Sequence, residues 1–192
     1  MSRRRKRRSP KGLLIFLLVL LIIIPGITFA IEPIEKRIYP LPYQKTVEEV
    51  SARYNFSPSL IYAVIYTESK FNPDVTSHAG AKGLMQITDS TYQWACKRTN
   101  QVVQDSQVLF DAETNIRYGV IILSLLRQQF SDTETMLAAY NAGQGRVAEW
   151  LKDSTYSQDG KTLHTIPYEE TANYVHRVIN TQKKYQELYN IL

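Results

Sequence analysis

Residues 57–73 read Ser-Pro-Ser-Leu-Ile-Tyr-Ala-Val-Ile-Tyr-Thr-Glu-Ser-Lys-Phe-Asn-Pro, a stretch that predicts one core helix with a defined start and end. Ser57 is a residue type that caps helices, and Pro58 fits the first helical turn, so this pair predicts the start. Proline disfavours helical backbone in the residue before it, so Asn72-Pro73 predicts that the helix has ended by then.

Glu68 falls on the apolar face of this predicted helix. Ile61, Val64 and Ile65 occupy that face, and the next position in the i, i+3, i+4, i+7 series is Glu68. Burial of an unpaired carboxylate is costly, so such a group raises its pKa and keeps a proton. A carboxylic acid that is still protonated near neutral pH can act as a general acid. The alternative is a glutamate that turns to the surface or pairs with a cation such as Lys70.

Groups suited to sugar binding follow this helix. Gly80 and Gly83 permit sharp turns and a close backbone approach. Gln86 supplies an amide donor and acceptor for sugar hydroxyl or acetamido groups. Tyr140 and Asn141 place an aromatic ring and an amide at the end of a later predicted helix. The 13 tyrosines are many for this length, and although most are expected to pack in the core, aromatic rings also stack on sugars.

The rest of the sequence predicts more helices and no convincing strand, so the fold class is mainly α. A small hairpin around 153–166 is the one β element that the pattern allows. The predicted helices cover 46–54, about 85–97, a long segment capped by Asp111, a segment from the capping box Ser131-x-x-Glu134 to Gly143, 146–152, and one or two helices after Pro167.

The net charge of +5 comes from the first residues of the chain. Seven of the 23 Lys and Arg residues lie within residues 1–11, which leaves 16 against 18 Asp and Glu in the rest. The body of the protein is therefore near neutral, which argues against nucleic acid as a partner. We interpret residues 1–11 as a basic cytoplasmic arm.

Residues 12–31 form an uncharged run between Lys11 and Glu32. Twenty such residues just span a bilayer core of ~30 Å, and the basic arm is expected to stay in the cytoplasm. We therefore predict a single-pass anchor in the cell membrane, with the following chain outside the cytoplasm. A cleaved signal peptide followed by secretion is the alternative, because the strictly apolar part has 13 residues and Thr28-Phe29-Ala30 offers small residues for cleavage.

The remaining chain divides into a linker and one domain. Residues 32–44 contain three prolines among mixed polar residues, which indicates an extended linker. Residues 45–192 are expected to form a single folded domain of ordinary size.

No metal or other cofactor is expected from the sequence. None of the histidines has a second ligand at i+3 or i+4, and no nucleotide-binding glycine motif occurs. The single cysteine, Cys96, forms no internal disulfide and is expected to be a small buried side chain. The three histidines are His78, His164 and His176.

Four segments in one order form a specific pattern: Glu68-Ser69-x-Phe71-Asn72-Pro73, Gly80-Ala81-x-Gly83-Leu84-Met85-Gln86-Ile87, Ala139-Tyr140-Asn141-Ala142-Gly143 and Ile166-Pro167-x-Glu169-Glu170-Thr171-x-x-Tyr174-Val175. This pattern, with Asn115-Ile116-x-x-Gly119 as a fifth stretch, resembles the soluble lytic transglycosylase family over roughly residues 50–185. The resemblance implies a single lysozyme-like helical domain, similar to goose-type lysozyme, with a glycan-binding cleft.

The resemblance also implies a reaction on bacterial peptidoglycan. Glu68 stands at the position of the family's catalytic glutamate, which protonates the β-1,4 oxygen between N-acetylmuramic acid and N-acetylglucosamine. The same group then takes the proton of the muramic acid 6-hydroxyl, so that a 1,6-anhydro product forms without water. The acetamido group of the substrate assists, and no second carboxylate is required.

The same resemblance implies a set of substrate-binding residues. Thr88 stands where relatives often have Met, and Ala172 where many have Arg, which affects the rim of the site. Two alternatives stay open: a hydrolytic muramidase on the same fold, with Asp74 or Asp89 activating water, and a non-catalytic glycan-binding scaffold. The implied substrate-binding residues are Ser77, Gln86, Tyr140, Asn141, Glu170 and Tyr174.

Overall fold

The computed structural model of this 192-residue chain describes residues 16–17, 21 and 31–191. Its contacts divide the chain into two units, Met1–Pro40 and Leu41–Leu192. The predicted membrane segment 12–31 lies almost wholly outside the described residues. Within the parts that are described, no helix has the length and apolar character that crossing a membrane requires.

Residues 31–38 of the first unit are helical, which differs from the extended linker predicted for 32–44. Lys36 and Glu32 lie one turn apart and form an ion pair of 2.5 Å, which supports the helical backbone. The prolines at 40 and 42 lie beyond the helical stretch.

The second unit is helical, which confirms the prediction of a mainly α fold. No strand occurs among the described residues, and only isolated bridges link Lys82 to Thr76 and to Ile87. The hairpin allowed at 153–166 is replaced by turns. The helices are α1 (Gln44–Tyr54), α2 (Pro58–Ser69), α3 (Asp89–Arg98), a 3-10 helix (Ser106–Phe110), α4 (Ala112–Gln129), α5 (Thr133–Ala142), α6 (Gln144–Trp150) and α7 (Glu169–Tyr189).

Three of the predicted helix boundaries are confirmed by the capping contacts. The Ser57 hydroxyl accepts a hydrogen bond from the Leu60 amide at 3.3 Å, one residue before α2 starts. The Asp111 carboxylate accepts from the Thr114 amide at 2.9 Å and caps α4. Gly143 ends α5 with φ of 92°, a backbone conformation that favours glycine.

Two predicted helix starts are displaced. The capping box at Ser131 does not form, because Asp132 caps α5 instead and accepts from the Thr135 amide at 2.8 Å. The helix expected from about residue 85 begins only at Asp89, where the Thr88 hydroxyl accepts from the Thr91 amide. The intervening residues cannot join this helix, because their backbone groups bond to the preceding loop and to α4.

The core places the end of α2 where it can carry a functional group. Residues 60–65 of α2 are all buried, and α7 packs along this helix. The rings of Tyr62 and Tyr185 stack between the two helices with centroids 5.4 Å apart. Residues 66–69, in the last turn of α2, are half-buried, so the polar side chains at this end reach a partly open surface.

Candidate active site

Glu68 lies half-buried in the last turn of α2, one residue before the helix ends at Ser69. Burial raises the pKa of its carboxyl to about 7, while the Tyr174 hydroxyl and the charge of Arg177 act in the opposite direction. No cation forms an ion pair with Glu68 in the described part of the chain, so the pairing alternative with Lys70 does not occur. The group is therefore an acid that titrates near neutrality.

Two tyrosines from other helices lie close to Glu68, and of these Tyr174 is buried and Tyr140 is half-buried. Tyr140 comes from α5 and Tyr174 from α7, and burial together with the negative charge of Glu68 raises the pKa of both phenols. The Tyr174 hydroxyl has no well-aligned hydrogen-bond partner among the described residues, yet it lies near enough to Glu68 to lower the pKa of that carboxyl. The site therefore combines one carboxyl and two phenols from three helices.

A hydrogen bond fixes Tyr140 to the loop of residues 70–88, which connects α2 to α3 and contains Gly80 and Gly83. Its hydroxyl donates a hydrogen bond of 2.8 Å to the carbonyl oxygen of Met85. Met85 is fully buried, and its amide donates to the side-chain oxygen of Asn115 on α4 at 2.8 Å. Because α4 holds the loop and the loop accepts the hydrogen bond of Tyr140, the position of the phenol depends on α4.

The side-chain oxygen and the side-chain nitrogen of Asn115 both form hydrogen bonds that hold this loop in place. The fully buried amide donates to the carbonyl oxygens of Lys82 at 2.9 Å and Leu109 at 2.7 Å. A Cβ at Gly83 would stand 2.4 Å from the Asn115 nitrogen, so only glycine permits this approach. The backbone at residue 83 also has φ of 71°, which favours glycine independently.

Gly119 lies one turn after Asn115 on α4, and its lack of a side chain leaves space for Met85 of the loop. A Cβ at Gly119 would stand 2.1 Å from the sulfur of Met85, closer than any real contact. The absence of a side chain lets Met85 pack directly on the helix, and the carbonyl of Met85 is the acceptor for Tyr140. Asn115 and Gly119 thus position the site without lying in it.

Gln86 and Ser77 have roles within the loop itself. The Gln86 side-chain nitrogen donates to the carbonyl oxygens of Val75 at 3.2 Å and Gly83 at 2.9 Å, which leaves its amide oxygen to accept from a ligand. Gln86 has φ of 48°, in the left-handed region. The Ser77 hydroxyl accepts from the Ala81 amide at 3.1 Å, so its own proton stays available for donation.

Asn141 and Glu170 are exposed residues beside the two phenols in sequence. Asn141 directly follows Tyr140 near the end of α5, and Glu170 lies in the first turn of α7, one turn before Tyr174. Neither residue makes a side-chain hydrogen bond within the described ranges. The structure thus brings Glu68, Tyr140 and Tyr174 together and leaves the other two on the adjoining surface.

A groove extends from Tyr140 along the surface between α3 and α6. Trp94 and Thr91 form one wall, and the turn at Gly143 to Gly145 forms another. Tyr140 lines this groove and also lies close to Glu68, whereas Glu68 itself is not among the residues that line the groove. An aromatic ring beside hydroxyl and backbone groups is a surface suited to a sugar.

One cation near Glu68, Arg177, was not predicted as a site residue. Arg177 follows Tyr174 by three positions on α7, a spacing that places both side chains on one face of the helix. Lys70 follows Glu68 by two positions and caps the end of α2. The i, i+3 spacing from Tyr174 is the pattern that identifies Arg177 in the sequence.

The remaining candidate groups are not part of this site. Cys96 is fully buried in α3, which confirms its interpretation as a small core side chain. Within the described ranges, His, Cys, Asp and Glu form no group of three that would hold a metal ion. The three histidines are exposed.

The sequence profile of the Transglycosylase SLT domain matches residues 45–163 of the chain. A soluble lytic murein transglycosylase of Escherichia coli (strain K12) is 36% identical over 151 residues, which are 77% of this chain and 23% of that protein. A membrane-bound lytic murein transglycosylase C of Sodalis glossinidius is 32% identical over 185 residues, which are 84% of this chain and 51% of that protein. The chain thus spans about a quarter to a half of these relatives.

Solved structures show the same fold. The 70 kDa soluble lytic transglycosylase of Escherichia coli superimposes with a TM-score of 0.70 at 31% identity, over 80% of this chain and 25% of that one. The 70 kDa enzyme has also been solved in complex with bulgecin A, and that structure matches with a TM-score of 0.69. The prediction of a lysozyme-like helical domain of this type is therefore confirmed.

Proposed function

Because this chain belongs to the Transglycosylase SLT domain family, we propose that it is a lytic transglycosylase that cleaves the glycan strands of peptidoglycan. The bond cleaved is the β-1,4 link between N-acetylmuramic acid and N-acetylglucosamine, and the product carries a 1,6-anhydromuramic end. The observation that carries this proposal is Glu68, a carboxyl with a pKa of about 7 at the end of a core helix, beside the phenols of Tyr140 and Tyr174.

In the first step Glu68 acts as a general acid. Its proton goes to the glycosidic oxygen, the bond from that oxygen to C1 of the muramic acid breaks, and N-acetylglucosamine leaves as an alcohol. The acetamido oxygen of the same muramic acid attacks C1 and takes up the positive charge in a cyclic intermediate. A pKa of about 7 leaves a large fraction of Glu68 protonated at neutral pH, as this step requires.

In the second step the Glu68 carboxylate acts as the base. It takes the proton of the muramic acid 6-hydroxyl, and the 6-oxygen attacks C1 while the acetamido group leaves. Glu68 ends protonated again, and no water is consumed. Tyr174 supports this cycle, because its hydroxyl favours the ionised form of Glu68 that exists between the two steps.

The surroundings of Asp74 and Asp89, the two candidates to activate a water molecule, favour ring closure over hydrolysis. Asp89 is exposed and forms an ion pair of 2.6 Å with Lys82, so it is not free to activate a water molecule. Asp74 is exposed in the loop after α2, where its backbone amide donates to the side chain of Asn72. No carboxylate among the described residues contributes to the pKa of Glu68, which suits a mechanism with one protein carboxyl and help from the substrate.

The proposed binding residues surround Glu68 from several elements. We propose that Ser77 and Gln86 hold the acetamido and hydroxyl groups through the proton and the amide oxygen that the loop leaves available. Asn141 and Glu170 are proposed to contact the strand from the exposed ends of α5 and α7. The groove at Trp94 is the proposed path of the next sugar.

The proposed location is the outer face of the cytoplasmic membrane, with residues 12–31 as the anchor and residues 45–192 as the catalytic domain. The basic arm and the uncharged run support it, and the proposed substrate lies outside the cytoplasm. Cell fractionation with N-terminal sequencing of the mature protein tests this proposal. Recovery in the membrane fraction with residues 1–11 intact is expected, and a protein that begins near residue 31 would indicate cleavage and secretion instead.

The reaction is tested with purified cell-wall sacculi and the full chain in mild detergent, with mass spectrometry of the released fragments. Glu68→Gln removes the proton donor, and Glu149→Gln is the matched control, because within the described ranges the side chain of that exposed residue bonds to Lys152 alone. We expect 1,6-anhydro products from the wild type and the control, and none from Glu68→Gln. Products one water heavier would identify a hydrolytic muramidase, and binding without release by any variant would identify a glycan-binding scaffold.

A further inference from the structure

The helical stretch 31–38 exposes a row of isoleucines. Ile31, Ile34 and Ile38 have exposed fractions of 44, 60 and 49%. At 3.6 residues per turn these three side chains fall within about 60° of the helix circumference, and we call this surface the isoleucine face. Isoleucine is among the residue types most often buried in proteins, so three of them on one exposed face indicate a surface that an apolar environment covers.

The remaining surface of this helix is polar. Glu32 and Lys36 lie on the side opposite the isoleucine face, where their ion pair of 2.5 Å joins successive turns. Glu35 and Arg37 border the isoleucine face on its two sides, and such long side chains can keep their charges in water beside an apolar surface. The helix is therefore amphipathic over its length of about 12 Å.

The sequence before the helix indicates what the isoleucine face contacts. Residues 12–31 are the uncharged run that we propose as the membrane anchor, and this run ends at the first residue of the helix. A helix that starts where an anchor ends is held at the level of the lipid headgroups, because the next residue, Glu32, is charged and belongs in water. The bilayer surface is therefore the nearest apolar environment, whereas a protein partner would first have to bind there.

We propose that helix 31–38 lies along the outer surface of the membrane, with the isoleucine face buried among the acyl chains just below the headgroups. The inference rests on the proposed location of the chain and goes beyond the proposed enzymatic function. Amphipathic helices of this kind insert about 5–10 Å into the boundary between headgroups and acyl chains. Arg37 is exposed at the edge of the face and forms no ion pair among the described residues, so it can reach a lipid phosphate.

The proposal is tested with the full chain in nanodiscs of phosphatidylglycerol and phosphatidylethanolamine, which leave both sides of the bilayer open to solutes. A nitroxide label is attached to one introduced cysteine at a time. Ile34→Cys and Ile38→Cys report on the isoleucine face, and Glu32→Cys and Lys36→Cys are the matched controls on the opposite side. The native Cys96 is fully buried, which shields it from the label. Collisions with oxygen, which dissolves in lipid, and with a water-soluble nickel complex give the depth of each label.

The expected result depends on the face of the helix and not on the position along it. We expect labels at positions 34 and 38 to lie about 5–10 Å below the headgroups and labels at positions 32 and 36 to lie in water. Water exposure of all four labels would overturn the proposal. A depth that decreases steadily from position 32 to position 38 on both sides would also overturn it, because that pattern belongs to an upright extension of the anchor.

A second measurement repeats the comparison without a label. Tryptophan fluorescence is measured for Ile34→Trp and Lys36→Trp in nanodiscs that contain brominated lipid, which quenches a ring inside the acyl-chain region. We expect the added fluorescence at position 34 to lose about half of its intensity or more and that at position 36 to lose little. The native Trp94 and Trp150 contribute the same background to both variants. Equal quenching at the two positions would contradict the proposed orientation.

These outcomes are distinguishable from a failure of the enzymatic proposal, because sacculus digestion is measured separately on the same proteins. A chain that does not remain with the nanodiscs would overturn both the anchor and the helix contact and leave the enzymatic proposal in place. A chain whose labels show the expected depths but which releases nothing from sacculi would overturn the enzymatic proposal alone.

Discussion

The hydroxyl of Tyr140 donates a 2.8 Å hydrogen bond to the carbonyl oxygen of Met85, and this contact joins α5 to the loop that α4 holds through Asn115. The loop and the phenol therefore depend on one another, although Met85 and Tyr140 lie far apart in sequence. Because the same phenol lies close to Glu68, the contact links the stability of the domain to the geometry of the proposed active site.

Tyr140→Phe removes this hydrogen bond and leaves the Met85 carbonyl without its donor. We expect a loss of about 1 kcal/mol in the free energy of unfolding, measured with urea, and a lower rate of sacculus digestion. Tyr156→Phe is the control, since the hydroxyl of Tyr156 has no hydrogen bond in the described structure. Equal effects of the two substitutions would contradict the role of the Tyr140 contact.

Activity is expected to decrease as the pH rises through about 7, because Glu68 must carry a proton to begin the reaction. The Tyr174 hydroxyl lowers the pKa of Glu68, so Tyr174→Phe should raise that pKa and move the alkaline limb of the profile to higher pH. The rate of anhydro-product release, measured from pH 5 to 9 on both proteins, checks this prediction. An alkaline limb at the same pH in both would show that Tyr174 does not act on Glu68.

Glu68 is expected to destabilise the folded domain at alkaline pH. Its folded pKa is about 7 against an ordinary value of 4.5, so between these values the folded chain holds a proton that the unfolded chain has lost. The free energy of unfolding therefore falls as the pH rises through this window. We expect Glu68→Gln to be more stable than the wild type by about 3 kcal/mol at pH 8. The two proteins should differ little at pH 4, and a difference in unfolding free energy that is independent of pH would refute the assignment.

Gly119→Ala is expected to destabilise the domain by about 2 kcal/mol or more, because the new methyl group would overlap Met85 in a fully buried site. Gly145→Ala is the matched control. A Cβ at Gly145 meets nothing within 4 Å, and Ala favours the α6 helix, so this substitution should be neutral or stabilising. Thermal unfolding of the two variants measures the difference in their stability. Equal stability of the two variants would show that the loop can shift on α4 to make space for the methyl group.

Asn115→Ala removes three hydrogen bonds and leaves buried backbone groups of the loop without partners. We expect a loss of about 2 to 4 kcal/mol in the free energy of unfolding. Hydrogen exchange at the Met85 amide should become much faster than in the wild type. Asn173→Ala, an exposed substitution on α7, should leave the Met85 amide as protected as before.

Helix identity and the site of the acid were predictable from the sequence, because both depend on local patterns. Ser57 and Asp111 cap the helices that follow them, as their residue types indicate. The start of α5 was predicted less accurately, because two neighbouring residues could each cap this helix. Ser131 has capping-box spacing, yet Asp132 provides the cap, since its carboxylate receives both the amide and the hydroxyl of Thr135.

The sequence by itself determined that Glu68 lies on the buried face of a helix that ends shortly after it, since helical periodicity and proline restrictions act over a few residues. Only the tertiary structure decided what surrounds that carboxyl. The packing of α7 along α2 brings Tyr174 and Arg177 to Glu68, and the clamp of Asn115 on the loop brings Tyr140. These neighbours set the pKa of Glu68 and the charge around it, because burial and electrostatic interaction depend on distance in space rather than on separation along the chain.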